Sequence, residues 1–88
     1  MNDKTIILNP KIKIEREEDV FIVRNIENGN LFFTNEVGAF ILNNENNSVD
    51  TIKNRITTVF SNVDKKSLLS EVNEFITECI NKKVISFE

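Results

Sequence analysis

An 88-residue chain that is 40% hydrophobic and 28% charged has room for one domain with a small core. It holds no His and a single Cys, Cys79, which excludes an intramolecular disulfide, a Cys-based zinc site and His-based acid–base chemistry. With 11 basic against 14 acidic side chains the net charge is −3, which argues against a protein whose main task is neutralising phosphates.

Residues 1–9 read as an N-terminal extension, followed by a single domain over 10–88. The apolar run Ile6 to Leu8 is far shorter than the core of a signal peptide. No stretch approaches the roughly 18 to 20 apolar residues that cross a bilayer, and the lone thiol suits a reducing interior. The expectation is a cytosolic protein with no membrane partner.

Pro10 leads into Lys11 to Glu15, where apolar and charged residues alternate with the period of a half-buried strand, so a first strand is expected over about 11–16. The acidic cluster Glu15 to Asp19 turns the chain, and Val20 to Ile26 is β-branched and aromatic enough for a second strand. Asn28-Gly29 between apolar runs is a hairpin signal, which makes Asn30 to Thr34 a third strand and the three together an antiparallel meander.

The period then changes. Thr34 or Asn35 can cap a helix over about 36–43, in which Val37, Phe40 and Ile41 share one face and Gly38 and Ala39 leave room for a close neighbour. Ser48 caps a second helix over about 49–60, with Val49, Ile52, Ile56, Val59 and Phe60 on one face. A third, longer helix is predicted over Lys65 to Lys82, and Val84 to Phe87 reads as a short final strand or extended tail. The fold class is therefore α+β: a winged-helix-like domain with an N-terminal three-stranded antiparallel sheet, three helices and a short C-terminal strand.

No catalytic constellation emerges. Glu17-Glu18 lie in a turn with nothing in sequence to desolvate them, Cys79 sits on the apolar face of the third helix, and Gly29 and Gly38 are too far apart for a phosphate loop. The expectation is a non-enzyme with no cofactor and no metal. A helix-turn-helix would place the third helix in the major groove, but its polar side carries Glu71, Glu74 and Glu78, which phosphates repel. Nucleic acid is not an expected partner.

A peptide is. On the third helix Leu68, Val72, Phe75 and Cys79 fall in one narrow sector, with Leu69, Ile76 and Ile80 on one shoulder of it. In the third strand Leu31 and Phe33 face one side and Phe32 and Thr34 the other, so both faces carry large apolar residues. If that strand lies at a sheet edge, its free backbone groups accept another strand beside the helix shoulder. The same edge would accept a second copy of the chain, so a homodimer is left open, as is a winged-helix regulator or an adaptor using the same surface for a protein.

Nearly the whole chain resembles the coenzyme PQQ synthesis protein D-like family, known more broadly as RiPP precursor peptide recognition elements. The resemblance rests on a Pro-led first strand (Pro10 to Glu15), a hairpin, and an aromatic-apolar strand running into the segment Phe32-Phe33-Thr34-Asn35-Glu36-Val37-Gly38-Ala39-Phe40-Ile41-Leu42. It continues in the helix start Ser48-Val49-Asp50-Thr51-Ile52 and in the apolar ending of Phe75, Ile76, Cys79, Ile80, Val84 and Ile85. The chain departs from the family pattern at Asn46-Asn47, where the family has Asp-Gly, and at Lys83, where it has Gly.

The resemblance implies a non-catalytic module that binds the leader segment of a ribosomally made precursor peptide. Such a module delivers the leader to a maturation enzyme such as a radical SAM enzyme, a leader peptidase or a cyclase. It also implies that the leader adds as a strand beside the third strand and packs against the third helix. Carried onto this sequence, Asn30, Leu31, Phe32, Phe33 and Thr34 would pair with it, and Leu69, Val72, Asn73, Ile76 and Ile80 would line its groove.

Overall fold

The computed structural model describes residues 4–88. Five strands and three helices follow in the order β1 (Ile6–Leu8), β2 (Ile12–Glu17), β3 (Val20–Asn25), β4 (Leu31–Thr34), α1 (Glu36–Asn43), α2 (Val49–Val59), α3 (Lys65–Asn81) and β5 (Ile85–Phe87). The expected α+β arrangement of a three-stranded meander, three helices and a final strand is what the chain adopts.

The meander has the order β2-β3-β4, antiparallel throughout. Glu18 turns β2 into β3 with φ 56, and Gly29 turns β3 into β4 with φ 77, a value that favours glycine. The second connection is longer than a two-residue hairpin. Asn25 Oδ1 accepts from the backbone N–H of Glu27 and Asn28, and Asn28 Oδ1 accepts from that of Asn30, so side-chain amides replace ladder bonds through the loop.

Each helix starts on a side-chain cap: Asn35 accepts from Gly38 N–H, Ser48 from Thr51 N–H and Asp64 from Ser67 N–H. The bonds from Ser67 also hold the Asp64 carboxyl below its ordinary range. The core lies where α1, α2 and α3 meet the inner face of the sheet, with Ile41, Leu42, Ile52, Ile56, Leu68, Val72 and Cys79 all enclosed.

Residues 1–9 are not an extension over their described part. Ile6–Leu8 pair antiparallel with Ile85–Phe87 in a two-stranded ribbon, and the Ile6 side chain is 0% exposed. Backbone bonds from Ile6 N–H to Asn47 O and from Asn46 N–H to Ile6 O also stitch this segment to the turn between α1 and α2. Three apolar residues are too few to show strand periodicity, and their partner is the far end of the chain, so local sequence carries no sign of the pairing. Residues 1–3 lie outside the described residues.

The end of α3 is fixed by a left-handed residue. Lys83 has φ 61, its N–H donates to Ile80 O, and Val84 N–H donates to Cys79 O. This is the Schellman pattern, with lysine in the position glycine usually takes. Lysine at this position therefore leaves the turn geometry intact, and the chain leads directly into β5.

Candidate functional site

The free edge of the meander is β4. The Asn25 N–H donates to Asn30 O at 2.8 Å, which makes Asn25 and Asn30 a hydrogen-bonded pair and sets the alternation along the ladder. Asn30, Phe32 and Thr34 thus turn their backbone groups toward β3. Leu31 and Phe33 turn theirs outward, where no strand of the described residues pairs with them. Of the five residues expected to offer backbone pairing, two do so.

Side chains divide the other way. Phe32 and Thr34 point to the helix side, while Leu31 (44% exposed) and Phe33 (64% exposed) lie on the outer face of the sheet. There they join Val20 and Ile22 of β3, which line a shallow hollow with Phe33 between Glu17 and Glu18.

Opposite the edge stands α3, and the flank it presents differs from the one expected. Phe75 meets Phe32 with ring centroids 6.4 Å apart at 57°. Asn35 Nδ2 donates to Glu71 Oε2 at 3.1 Å, closing one end of the slot. At the other end Lys82 Nζ stands 4.3 Å above the Phe32 ring and 3.7 Å from Glu78 Oε2. Glu71, Phe75, Glu78 and Lys82 recur every three or four residues and form one stripe along the helix. Phe75 is seated by Gly38 of α1, where a Cβ would come within 2.7 Å of the ring, so the glycine is what lets α1 and this ring approach.

The five α3 residues expected in the groove are placed otherwise. Val72 is 0% and Ile76 4% exposed, so both belong to the core beneath the slot and neither can line it. Ile80 lies roughly 140° around the helix from Phe75 at about 100° per residue. It is half-buried beside Leu8, Pro10 and Phe87, against the β1–β5 ribbon. Leu69 and Asn73 lie on that same far side, one half-buried and one exposed. Sequence periodicity measures the width of an apolar stripe but not which shoulder meets which neighbour. What decides between the shoulders is the ribbon, unmarked in the sequence, which claims the Ile80 shoulder and leaves the Phe75 shoulder for β4.

Cys79 does not reach the slot. Cys79 is enclosed in the core, and desolvation, with Glu78 adding to it and Lys82 opposing it, pushes its thiol up to about 12. Among the described residues no group of His, Cys, Asp or Glu is placed to hold a metal ion, and no helix is long and apolar enough to cross a membrane.

No family model matches the chain, and no curated protein does. A solved structure, TbiB1 in complex with the TbiA(beta) leader peptide, is similar at a TM-score of 0.73 and 17% identity. The likeness covers 91% of this chain and 94% of that one, so the two share a fold from end to end.

Proposed function

We propose that this protein is a non-catalytic leader-peptide recognition protein of the PQQ synthesis protein D-like kind. It binds the leader of a ribosomally made precursor and presents it to a maturation enzyme in the cytosol. The observation that carries the reading is the unpaired edge of β4, with the outward backbone groups of Leu31 and Phe33 beside the Phe75 flank of α3. A peptide strand added there satisfies those groups and lays alternate side chains into the slot and onto the outer face. The shared fold with TbiB1, a protein solved with a leader peptide bound, supports the reading. The apolar outer face of Val20, Ile22, Leu31 and Phe33 stays open beside such a strand, which supports delivery to an enzyme such as a radical SAM protein, leader peptidase or cyclase.

Proline at position 33 tests the edge. The Phe33 N–H points away from β3, so Phe33→Pro removes an outward donor while sparing the β3–β4 ladder. Fluorescence anisotropy with labelled peptides from short reading frames flanking the gene should show tight binding to wild type and to Phe33→Ala. Phe33→Pro should weaken it about tenfold or more. Equal affinity for the proline and alanine variants would remove strand addition as the mode of binding.

A further inference from the structure

A hollow of about 450 Å³ opens at the start of β4, between the β3–β4 loop and the end of α3. Its floor is apolar, with Ile12 and Val23 beneath, and its rim carries Asn28, Asn81, Lys82 and Lys83. No carboxylate lines it, although acids outnumber bases 14 to 11 in the chain. The Lys82 ammonium lies 4.3 Å over the Phe32 ring, a contact that leaves its charge uncompensated. The Lys82–Glu78 contact of 3.7 Å is solvent-exposed, a kind of pair with little net worth, and Lys83 makes no ion pair among the described residues. The backbone that carries Lys83 is held on both sides, by its N–H to Ile80 O and by Asn9 Nδ2 to its carbonyl, each at 3.0 Å. Opposing these charges is the negative end of the α3 dipole, worth about half a charge. Its carbonyls at Glu78, Cys79 and Ile80 already accept from Lys82, Val84 and Lys83, so two full positive charges outweigh it.

We propose that this hollow is a specificity pocket for an acidic side chain, aspartate or glutamate, of the bound peptide. Its methylene stem would lie on the apolar floor and its carboxylate between Lys82 and Lys83. The inference rests on strand addition at β4, and it adds which residue class the strand must carry and where. Cross-strand neighbours share a face, so the acidic residue stands opposite Asn30 or Phe32, the positions that point to the helix side.

Selection of short random peptides displayed on phage against the full chain tests this without knowing the natural ligand. Wild type should enrich alternating apolar peptides with Asp or Glu at one fixed position. The double variant Lys82→Glu/Lys83→Glu, with unchanged circular dichroism, should enrich Lys or Arg there. Exchanging that Glu for Gln in a synthetic copy of a selected peptide should weaken binding about tenfold, less at high salt. Enriched peptides that show no acidic preference and bind the double variant equally well would overturn the acidic pocket and leave strand addition standing. Failure of both proteins to enrich any strand-forming peptide would overturn strand addition and the pocket with it.

Discussion

Around α3, Leu69, Ile76 and Ile80 occupy one flank and Glu71, Phe75, Glu78 and Lys82 the other. The first flank is richer in aliphatic side chains, yet it is largely consumed by the fold: Ile76 is buried and Ile80 lies against the β1–β5 ribbon. The second flank mixes one aromatic with charges and faces the free edge of β4, which it meets through the Phe75–Phe32 and Lys82–Phe32 contacts. Apolar content alone therefore points to the flank that the fold itself consumes. What leaves a flank open is the absence of a neighbour, and the neighbour of the first flank comes from the two ends of the chain.

The sharpest way to break that contrast is to remove the neighbour. Ile6→Ala empties a fully buried site and should cost about 2–5 kcal/mol, a large share of the roughly 4–13 kcal/mol expected for a domain of this size. Urea denaturation would show it, and an unchanged midpoint would mean that the ribbon is dispensable. Next in size is the contrast in binding. Phe75→Ala should weaken peptide affinity by an order of magnitude, about 1.4 kcal/mol, whereas Ile80→Ala should leave affinity unchanged while lowering stability. A reversed ranking in calorimetric titration would restore the far flank as the groove. Ile76→Glu is not informative about the slot, because a charge at that buried position disrupts the core before it reports on binding.

Smaller effects arise at the end of α3, where the helix turns into β5. Lys83→Gly relieves a left-handed lysine and should raise stability by about 1 kcal/mol, or 4–8 °C in thermal unfolding, while weakening selection for an acidic peptide residue. Cys79 gives the clearest pH dependence and no titration effect at neutral pH. Its thiol titrates higher in the folded chain than in the unfolded one, from an ordinary 9.0 up to about 12, so the folded state holds the proton longer. Its contribution is complete below pH 9 and falls away as pH rises toward 12. Denaturation midpoints of wild type should therefore drop more across that interval than those of Cys79→Ala.

Much of this was legible from local sequence. Alternation over Lys11 to Glu15, the apolar face of Val49, Ile52 and Ile56, and capping by Asn35 and Ser48 are features of period and side-chain chemistry that need no partner to be read. The edge position of β4 followed from a meander being built in order. Three things were not legible. Pairing of Ile6–Leu8 with Ile85–Phe87 joins segments almost a full chain length apart, and neither is long enough to show a pattern. The choice between the Phe75 and Ile80 shoulders depends on that same pairing, so the two differences have one cause. The hydrogen-bond phase of β4, which leaves Leu31 and Phe33 rather than Asn30 facing outward, is set by the Asn-rich loop, where side-chain amides lengthen the turn.

The brevity of β4 has a kinetic consequence. Leu31 and Phe33 offer two N–H and two C=O groups, and at about 1 kcal/mol net for each bond the ladder yields about 4 kcal/mol, a millimolar grip by itself. Side-chain anchors must supply the rest. A complex brought in this way to about micromolar affinity, with ordinary association rates of about 10⁵–10⁷ M⁻¹s⁻¹, releases its peptide within about ten seconds or faster. So short an edge makes for brief residence, which suits the proposed hand-over of a peptide to an enzyme better than storage.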